Sequence, residues 1–588
     1  MHGLDLPLFL SIQLDAKNPK SRRLGPIKGM RNLFRPNADE KFSANGFVAL
    51  AVEGNDEPLR RLMKTLALRM RRQEPWPDIL GADQSVDRSE NPSIPAGYTY
   101  LLQLIAHDIV NSAVSLAEAG PDGFGFANSR AVPLSLETIY GGGPSVSPHT
   151  YEFDKNVRQQ PGKMLRSRLR CGRSRKSNGS THGCPFQDIA RAIPADTNDS
   201  GLGPNEQLDL STANRRPWRT EALLADPRND DHALLSQLAL LFHTLHNHLM
   251  ERIASPLMST PVDVLQQFVC TRFVVTLIYR AIILKDVLEK ILHPAVYRRY
   301  VIEKRPLLED NPKFGPRIDG IPLEFSHAAY RFGHTMVRND YRVNSNVSLP
   351  LLLALQQSSL RAPSNLPVSE EWLANWSLFF EVRNGNRVNL SRRIGPSFSP
   401  ALLDTSSFPA LSDLDDHGLA NRDLLSAACA GLWSVPSLHK QVRAVLDDNR
   451  LVPEYGTWLQ PLRDWLGRPS MMSNDDINNI ANDPPLPFFV LFEAAHPLVA
   501  GVPTESGGGR HLGPIGSIIL AETVLGALKL HRIGFEQAGD TLKAQIRAVC
   551  KSVLDCEAAF DAIPEIKNMS DLLHFLSTSG AISMPVLS

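Results

Sequence analysis

The residues best suited to chemistry begin in an apolar run, YLLQLIAHDIVNSAVS, at residues 100–115. Gln103, His107 and Asp108 interrupt it, and a buried polar group costs free energy unless a partner satisfies it. On a helix Gln103 and His107 share a face, being four residues apart, whereas Asp108 points away. The spacing predicts a helix that presents an amide and an imidazole to one cavity and a carboxylate to another. A core histidine bonded to a backbone carbonyl is the alternative that this segment leaves open.

Two later segments carry further candidate groups. Arg228 lies in the turn DPRNDD, residues 226–231, which leads into a long amphipathic helix. A surface ion pair with a neighbouring aspartate is the alternative to a catalytic role for this arginine. His334 follows Gly333 within a helical pattern. Because a glycine inside a helix costs about 1 kcal/mol, its presence indicates the close approach of a bulky group.

Composition excludes several classes of protein. The 588 residues contain 62 Lys+Arg and 62 Asp+Glu, so no net charge attracts the chain to nucleic acid. Six cysteines in so long a chain do not form a disulfide framework, and we expect reduced thiols. No run of 18 apolar residues occurs, and no positive charge precedes the apolar patch at residues 6–12. We therefore expect no transmembrane segment and no signal peptide, with a soluble chain in the cytoplasm or exported by an unconventional route.

The elements that must position these residues are mostly helical. Apolar residues recur at three- and four-residue steps in 57–71, 98–117, 232–254, 263–292, 325–337, 420–433, 514–530 and 540–557. Alternating patterns typical of strands are scarce, so we predict a mainly α fold with very little β-structure. We expect a partly irregular N-terminal extension (1–94), one large domain (95–535) and a C-terminal helical extension packed on the core (536–588).

The basic stretch at residues 163–183 is predicted to be a solvated loop. A nucleic-acid site is the alternative, which the absence of stacking aromatic residues disfavours. His243, His246 and His248 form a second tempting cluster. His248 does not share the face of the other two, and no carboxylate stands at the spacing of a hydrolase motif. Scaffold histidines are therefore favoured over a zinc site.

Five motifs resemble, in order and spacing over roughly residues 95–530, those of the animal-type haem peroxidases, the peroxidase–cyclooxygenase superfamily, and of its bacterial members in particular. They are QLIAHD (103–108), LETIYGGGP (136–144), DPRND (226–230), AYRFGHTMV (329–337) and GGGRHLGPIGSIILAETVLG (507–526). The resemblance implies a single helical haem-peroxidase domain that binds haem b. It also implies an enzyme that reduces hydrogen peroxide and oxidises a small donor (halide, phenol or another organic molecule) through a ferryl intermediate.

The resemblance also implies roles for individual residues. His334 would be the axial ligand of the haem iron. His107 would carry the peroxide proton, and Arg228 would stabilise the charge that develops as the O–O bond breaks. Gln103 would bind water, peroxide or halide beside the iron. Asp423 would be the hydrogen-bond partner of the axial histidine, in place of the family's usual asparagine.

Some positions depart from the family pattern. Ala106 stands where a carboxylate often forms an ester to the haem, so that link cannot form. Asp231 takes the place of a glutamate that forms the second ester and is one methylene shorter, which leaves covalent attachment of the haem open.

The family's calcium site is also altered. The resemblance makes Asp108, Ser135 and Glu137 candidate calcium ligands, but Ala131 and Pro133 supply no side-chain oxygen at the aligned positions of the loop. Because calcium prefers six to eight oxygen ligands, the sequence leaves its presence doubtful.

Two other functions remain open. A fatty-acid dioxygenase of the cyclooxygenase type has a radical-forming tyrosine three residues before the axial histidine. Here that position is Arg331, and Tyr330 is rotated from it by about 100° on a helix. A catalytically impaired haem-binding scaffold is the second alternative, which the joint presence of Gln103, His107 and Arg228 disfavours.

Overall fold

The chain is described here from a computed structural model. It describes residues 30–31, 33–34, 57–72, 89–111, 128, 130–152, 167–174, 186–192, 221–255, 264–307, 320–344, 348–359, 361–382, 387–404, 413, 415, 418–430, 432–446, 450–468, 472–496 and 508–584. The apolar patch at residues 6–12 lies outside this part of the chain.

The predicted mainly α fold is confirmed. The α-helices are α1 Glu57–Met70, α2 Gly97–Ile109, α3 Glu137–Tyr140, α4 Ala233–Ala254, α5 Val264–Ile282, α6 Leu288–Ile291, α7 Pro294–Tyr297, α8 Leu323–Ser326, α9 Leu351–Leu355, α10 Leu419–Cys429, α11 Val435–Val445, α12 Leu459–Leu466, α13 Asn474–Asn482, α14 Leu486–Ala495, α15 Pro514–Leu530, α16 Leu542–Val549, α17 Ala558–Asp561 and α18 Met569–Thr578. Turns of π-helix follow α5, α7 and α16 at Ile283–Val287, Arg298–Ile302 and Cys550–Leu554.

Shorter 3₁₀ segments connect several of these helices. They are Pro148–Thr150, Pro227–Asp230, Ala329–Met336, Pro363–Asn365, Glu370–Trp372, Trp376–Leu378, Pro400–Leu403 and Tyr455–Trp458.

The strands form four two-stranded sheets among the described residues. They are β1 Met30–Arg31, β2 Glu90–Pro95, β3 Cys171–Arg173, β4 Phe186–Ile189, β5 Ile321–Pro322, β6 Asp340–Arg342, β7 Ser348–Pro350 and β8 Leu390–Arg392. β1 pairs with β5 in parallel, and β2–β8, β3–β4 and β6–β7 pair antiparallel. Each sheet is too small to form a layer, so the helices supply the core.

The predicted helix over residues 325–337 is wrong as one continuous element. α8 ends at Ser326, the backbone turns at Ala328, and Ala329–Met336 is a 3₁₀ helix. In a 3₁₀ helix, residues three apart are eclipsed. Arg331 and His334 therefore lie on one face.

Two buried helices form the centre of the core. α4 begins at the N-cap His232, whose Nδ1 accepts the Leu235 N–H at 3.3 Å, and packs along α5. The apolar stretch Val264–Ile291 is long enough to cross a membrane by length and composition, but 83% of its most apolar window is buried inside the protein. Such burial is the pattern of a core helix.

The described parts of residues 1–94 belong to this same core. α1 packs against α10, and the Arg69 guanidinium lies 3.8 Å from the centroid of the Trp465 ring. The Leu33 N–H donates to Glu324 Oε2 at 2.7 Å. The separate N-terminal extension stays a prediction, and its described residues are integrated with the helices that follow.

The C-terminal residues also pack on the core. α16 contacts α5, and the Met569 N–H at the start of α18 donates to Asp286 Oδ2 at 2.9 Å. The boundary at residue 535 stays a prediction.

The basic stretch at 163–183 is described only at residues 167–174. The prediction of a loop is wrong at residues 171–173, which form β3. Arg168 pairs with Glu152 and Glu251, and Arg170 Nε donates to Tyr151 O at 2.6 Å. These two arginines are therefore engaged within the fold.

Candidate active site

A strip of partly exposed residues runs along α2, which is otherwise buried. Gln103, Ala106 and His107 are partly exposed, and every other position of α2 is buried. Their spacing places them on one helix face. Arg228, from the 3₁₀ turn before α4, contacts the end of this helix, and the 3₁₀ segment that carries His334 packs against it. The predicted helix face is therefore present, and it does not face the core.

His107 is held by an amide. Its Nδ1 lies 2.9 Å from Asn229 Oδ1. Burial, followed by the charge of Arg228, lowers the pKa of His107 to about 4, although the bond to Asn229 acts in the opposite direction. The imidazole is therefore neutral near pH 7, as a proton acceptor must be.

Gln103 is oriented by a second histidine. His232 Nε2 lies 3.0 Å from Gln103 Oε1, while His232 Nδ1 accepts the Leu235 N–H. Burial lowers the pKa of His232 to about 4, so its ring is neutral and its Nε2–H donates to Gln103. This bond uses the amide oxygen and leaves the amide NH₂ as the group that can donate to a ligand.

Arg228 is fixed at the C-terminal end of α2. Its Nη1 donates to Val110 O at 2.9 Å and its Nη2 to His107 O at 2.8 Å. Its Nε and Nη2 also donate to the two Asp226 carboxylate oxygens, at 3.1 and 2.7 Å. Burial alone would raise the pKa of Asp226, but Arg228 and Arg130 together lower it. The ion pair foreseen as the alternative therefore exists, and it anchors Arg228 beside His107.

His334 is held by a carboxylate. Its Nδ1 lies 2.6 Å from Asp423 Oδ2, and Arg331 Nη1 donates to Asp423 Oδ1 at 2.7 Å. Burial alone would raise the pKa of Asp423, but the charges of His334 and Arg331 hold it below its usual value. A cavity of about 10 Å³, the size of one water molecule, adjoins Asp423 and is lined by Met70 of α1.

The surroundings of His334 fit an axial haem ligand. With Nδ1 bonded to Asp423, Nε2 is the nitrogen left to bind iron. The His334 side chain is 34% exposed, and a Cβ added at Gly333 would meet no heavy atom within 4 Å. The His334 imidazole therefore lies beside open space, and a haem there would be held by His334 and supported by Asp423.

The position that distinguishes a cyclooxygenase-type radical site holds Arg331, which pairs with Asp423. Tyr330 donates its hydroxyl to Leu102 O at 2.9 Å, and its ring packs 4.6 Å from that of Phe325. Tyr330 is thus bonded to the backbone of α2.

The candidate calcium ligands form hydrogen bonds within their own loop. Asp108 accepts the Leu136 N–H at 2.8 Å and the Thr138 N–H at 3.1 Å. Ser135 Oγ donates to Val132 O at 2.6 Å, and Glu137 accepts the Ala131 N–H at 3.2 Å. Within the described residues, no group of three or more His, Cys, Asp or Glu could hold a metal. These three residues therefore bond within the loop, and their role as calcium ligands stays a prediction.

Two arginines, Arg130 and Arg280, supply positive charge near Asp108. Arg130 Nε donates to His107 O at 2.7 Å, and Arg130 also pairs with Asp226. Arg280 Nε donates to Leu134 O at 2.8 Å. Burial raises the pKa of Asp108, and both arginines act against that rise. The two guanidinium charges thus offset part of the cost of burying this carboxylate, whose pKa still lies above its usual value.

The remaining candidate residues bond to groups other than His107, Arg228 and His334. Asp231 is partly exposed and lies 3.5 Å from Arg361, so its role in haem attachment stays a prediction. His243 and His246 are bonded to the carbonyl oxygens of Arg170 and Ser167, at 2.8 and 2.9 Å. These bonds fit scaffold histidines.

Sequence reasoning missed the partners of the candidate residues. Asn229 and His232 follow Arg228 closely in the chain, and each bonds a residue of the α2 strip. Asp226 was noted only as a surface partner. Their place inside and beside the DPRND motif was the available signal, because residues next to a candidate catalytic residue in the chain lie close to it in the fold.

Comparisons with known proteins indicate a family for part of the chain. The animal haem peroxidase family model matches residues 191–388, about a third of the chain, which include Arg228 and His334. No curated protein sequence matches the chain.

Two solved structures share the fold. Peroxidase A from Dictyostelium discoideum is 13% identical with a TM-score of 0.51, over 93% of this chain and 95% of that one. A fatty acid alpha-dioxygenase from Arabidopsis thaliana is 10% identical with a TM-score of 0.51, over 99% of this chain and 89% of that one. The family implies haem binding and oxidoreductase chemistry. The resemblance of the chain to the peroxidase–cyclooxygenase superfamily is therefore confirmed by sequence across residues 191–388, and the chain shares the fold of these structures over almost its whole length.

Proposed function

We propose that this protein is a haem peroxidase that binds haem b through His334, reduces hydrogen peroxide and oxidises a small donor, with the peroxidase domain spanning residues 95–535. One observation carries the proposal. His107 on α2 is a neutral imidazole and lies beside the fixed guanidinium of Arg228. His334 is an imidazole held by a carboxylate, and it lies on the segment that packs against α2. Bound haem supplies the iron that exchanges electrons with peroxide and donor.

His107 moves the proton. Because its pKa is lowered to about 4, the ring is unprotonated near pH 7 and accepts a proton from the inner oxygen of peroxide. The same ring then returns the proton to the outer oxygen, so that this oxygen leaves as water.

Arg228 stabilises the negative charge that develops on the departing oxygen. Asp226 and two carbonyl groups of α2 hold the guanidinium in place through four of its five N–H groups. The remaining Nη1 N–H can donate to the departing oxygen with little reorganisation. Gln103, oriented by His232, donates its amide to the bound peroxide or water.

The test is the absorption spectrum of the haem-loaded protein before and after one equivalent of hydrogen peroxide. We expect a rapid change in the haem band that reverses when a phenol or a halide is added. A spectrum that peroxide leaves unchanged would contradict the proposal and favour the impaired scaffold.

The dioxygenase alternative is tested with the same preparation. Oxygen uptake with linoleate, without an added electron donor, is its signature. Arg331 and its bond to Asp423 argue against that activity. We therefore expect linoleate to consume no oxygen above a haem-only control.

A further inference from the structure

The hydrogen bond between His107 and Asn229 decides which ring nitrogen of His107 carries the proton. Either ring nitrogen of a neutral histidine can carry the proton, and the partner of the other nitrogen decides which one does. His107 Nδ1 lies 2.9 Å from the Asn229 side-chain oxygen. The orientation of the Asn229 amide therefore determines the tautomer of His107.

That orientation is fixed from the opposite side. Asn229 Nδ2 donates to the Thr138 carbonyl oxygen at 3.1 Å and to Thr138 Oγ1 at 3.0 Å. A backbone carbonyl only accepts hydrogen bonds. The amide nitrogen must therefore face Thr138, and the amide oxygen must face His107.

The surroundings leave no alternative arrangement without cost. Asn229 is fully buried and Thr138 is 1% exposed, so water does not replace a lost bond. Turning the amide over would place the Asn229 amide oxygen against the Thr138 carbonyl oxygen. Both atoms are acceptors, so that bond would be lost. The Thr138 hydroxyl also donates to Asp226 Oδ2 at 3.3 Å, which uses its own proton.

We propose that Asn229 is a positioning residue that holds His107 as the Nδ1–H tautomer, so that Nε2 keeps its lone pair. This inference rests on the proposed function, because a base that accepts the peroxide proton must present a lone pair. The network continues through Thr138 and Asp226 to Arg228, so one chain of hydrogen bonds orients both catalytic groups.

The tautomer can be read without peroxide chemistry. Full-length protein labelled with ¹⁵N in its histidines, in a diamagnetic form, gives separate signals for protonated and unprotonated ring nitrogens. The His107→Ala variant identifies the His107 signals by their loss. We expect a protonated Nδ1 and an unprotonated Nε2 in the wild type.

Two substitutions at Asn229 test the cause. Asn229→Leu removes the acceptor and should give the Nε2–H form or a mixture of both. It should also slow the reaction with peroxide by about tenfold to a hundredfold. Asn229→Asp keeps an acceptor and should keep the Nδ1–H form, and it decides the matter even where the leucine variant does not fold.

A matched control removes a buried asparagine that has no bond to His107 or Thr138. Asn247 on α4 bonds the Leu169 N–H and carbonyl, both at 2.8 Å. Asn247→Leu should leave the His107 tautomer and the peroxide rate unchanged.

Several outcomes overturn the inference. It fails if His107 carries its proton on Nε2 in the wild type or in Asn229→Asp, or if Asn229→Leu keeps the Nδ1–H signal and a rate within twofold of wild type. A wild type that ignores peroxide while Asn229→Leu still shifts the tautomer would refute the proposed function and support the positioning role.

Discussion

The two histidines of the candidate active site, His107 and His334, are held by opposite kinds of partner. His107 is bonded to the neutral amide of Asn229, and His334 is bonded to the carboxylate of Asp423. An amide adds no charge, so burial and Arg228 keep the pKa of His107 low, at about 4. A carboxylate raises the basicity of a ring that ligates a metal. These partners suit the two proposed roles, a proton carrier at His107 and a strong iron ligand at His334.

The largest effect is expected from removing the proximal histidine. His334→Ala should lose most of the bound haem, because Nε2 of His334 is the proposed iron ligand. Haem content per chain, measured by absorption after gel filtration, checks this. His248→Ala, which alters a histidine with a 20% exposed side chain on α4, should bind haem like the wild type. A full haem content with an unchanged spectrum in His334→Ala would contradict the assignment of His334 as the iron ligand.

On the distal side, peroxide chemistry should fail while haem stays bound. His107→Ala should slow the first peroxide step by ~10²–10⁴, and Arg228→Ala by ~10²–10³. The double variant should lose less than the product of both factors, because the two residues act on one step. Stopped-flow mixing with peroxide measures each rate.

Surface Arg168 offers a control for Arg228. Arg168→Ala removes a guanidinium that pairs with Glu152 and Glu251 and should react at the wild-type rate. A His107→Ala variant as fast as wild type would refute the distal role.

Acid should remove activity only well below the usual titration of histidine. The pKa of His107 is lowered from 6.5 to about 4, so its ring is neutral above that pH and charged below it. The peroxide rate should therefore stay level through pH 6.5 and fall by about tenfold per pH unit below pH 4. Rapid pH-jump mixing measures the rate before slow unfolding. In Arg228→Ala the midpoint should move upward, and a wild-type midpoint at 6.5 would contradict the assignment.

The smallest effect tests the proximal partner. Asp423→Asn gives His334 the kind of partner that His107 has, and should weaken the donation of electron density to the iron. The iron reduction potential should rise and the iron–histidine stretching frequency should fall, while haem stays bound. Spectroelectrochemistry and resonance Raman spectroscopy measure these changes. A potential equal to that of the wild type would show that the carboxylate does not tune the iron.

The sequence predicted the helices better than the contacts between them. The repeat at residues 57–71 became α1 Glu57–Met70, since a long amphipathic pattern has one way to bury its apolar face. The helix over 98–117 ends earlier, at Ile109, with Val110 extended. The repeat at 325–337 gave no warning that it would break at Ala328, because periods of 3 and 3.6 differ little over so few residues.

The site was predicted where a family motif covers the residue and missed where no motif does. Asp423 was matched to His334 by resemblance, and the two meet at 2.6 Å across 89 residues of chain. The roles of Arg130 and Arg280 beside Asp108 could not be read from the sequence, since nothing in their local patterns indicates a shared carboxylate.

The N-terminal segment has a consequence for how the protein is made. Met30 pairs with Ile321, Trp433 Nε1 donates to Phe34 O, and Arg69 donates to Trp465 O. These partners are 291, 399 and 396 residues apart along the chain. At ~5–20 residues per second on the ribosome, α1 must wait on the order of 20–80 s for Trp465 to emerge. Because α1 packs on the helix that carries Asp423, the surroundings of His334 are completed late in synthesis. Haem loading should therefore follow release of most of the chain.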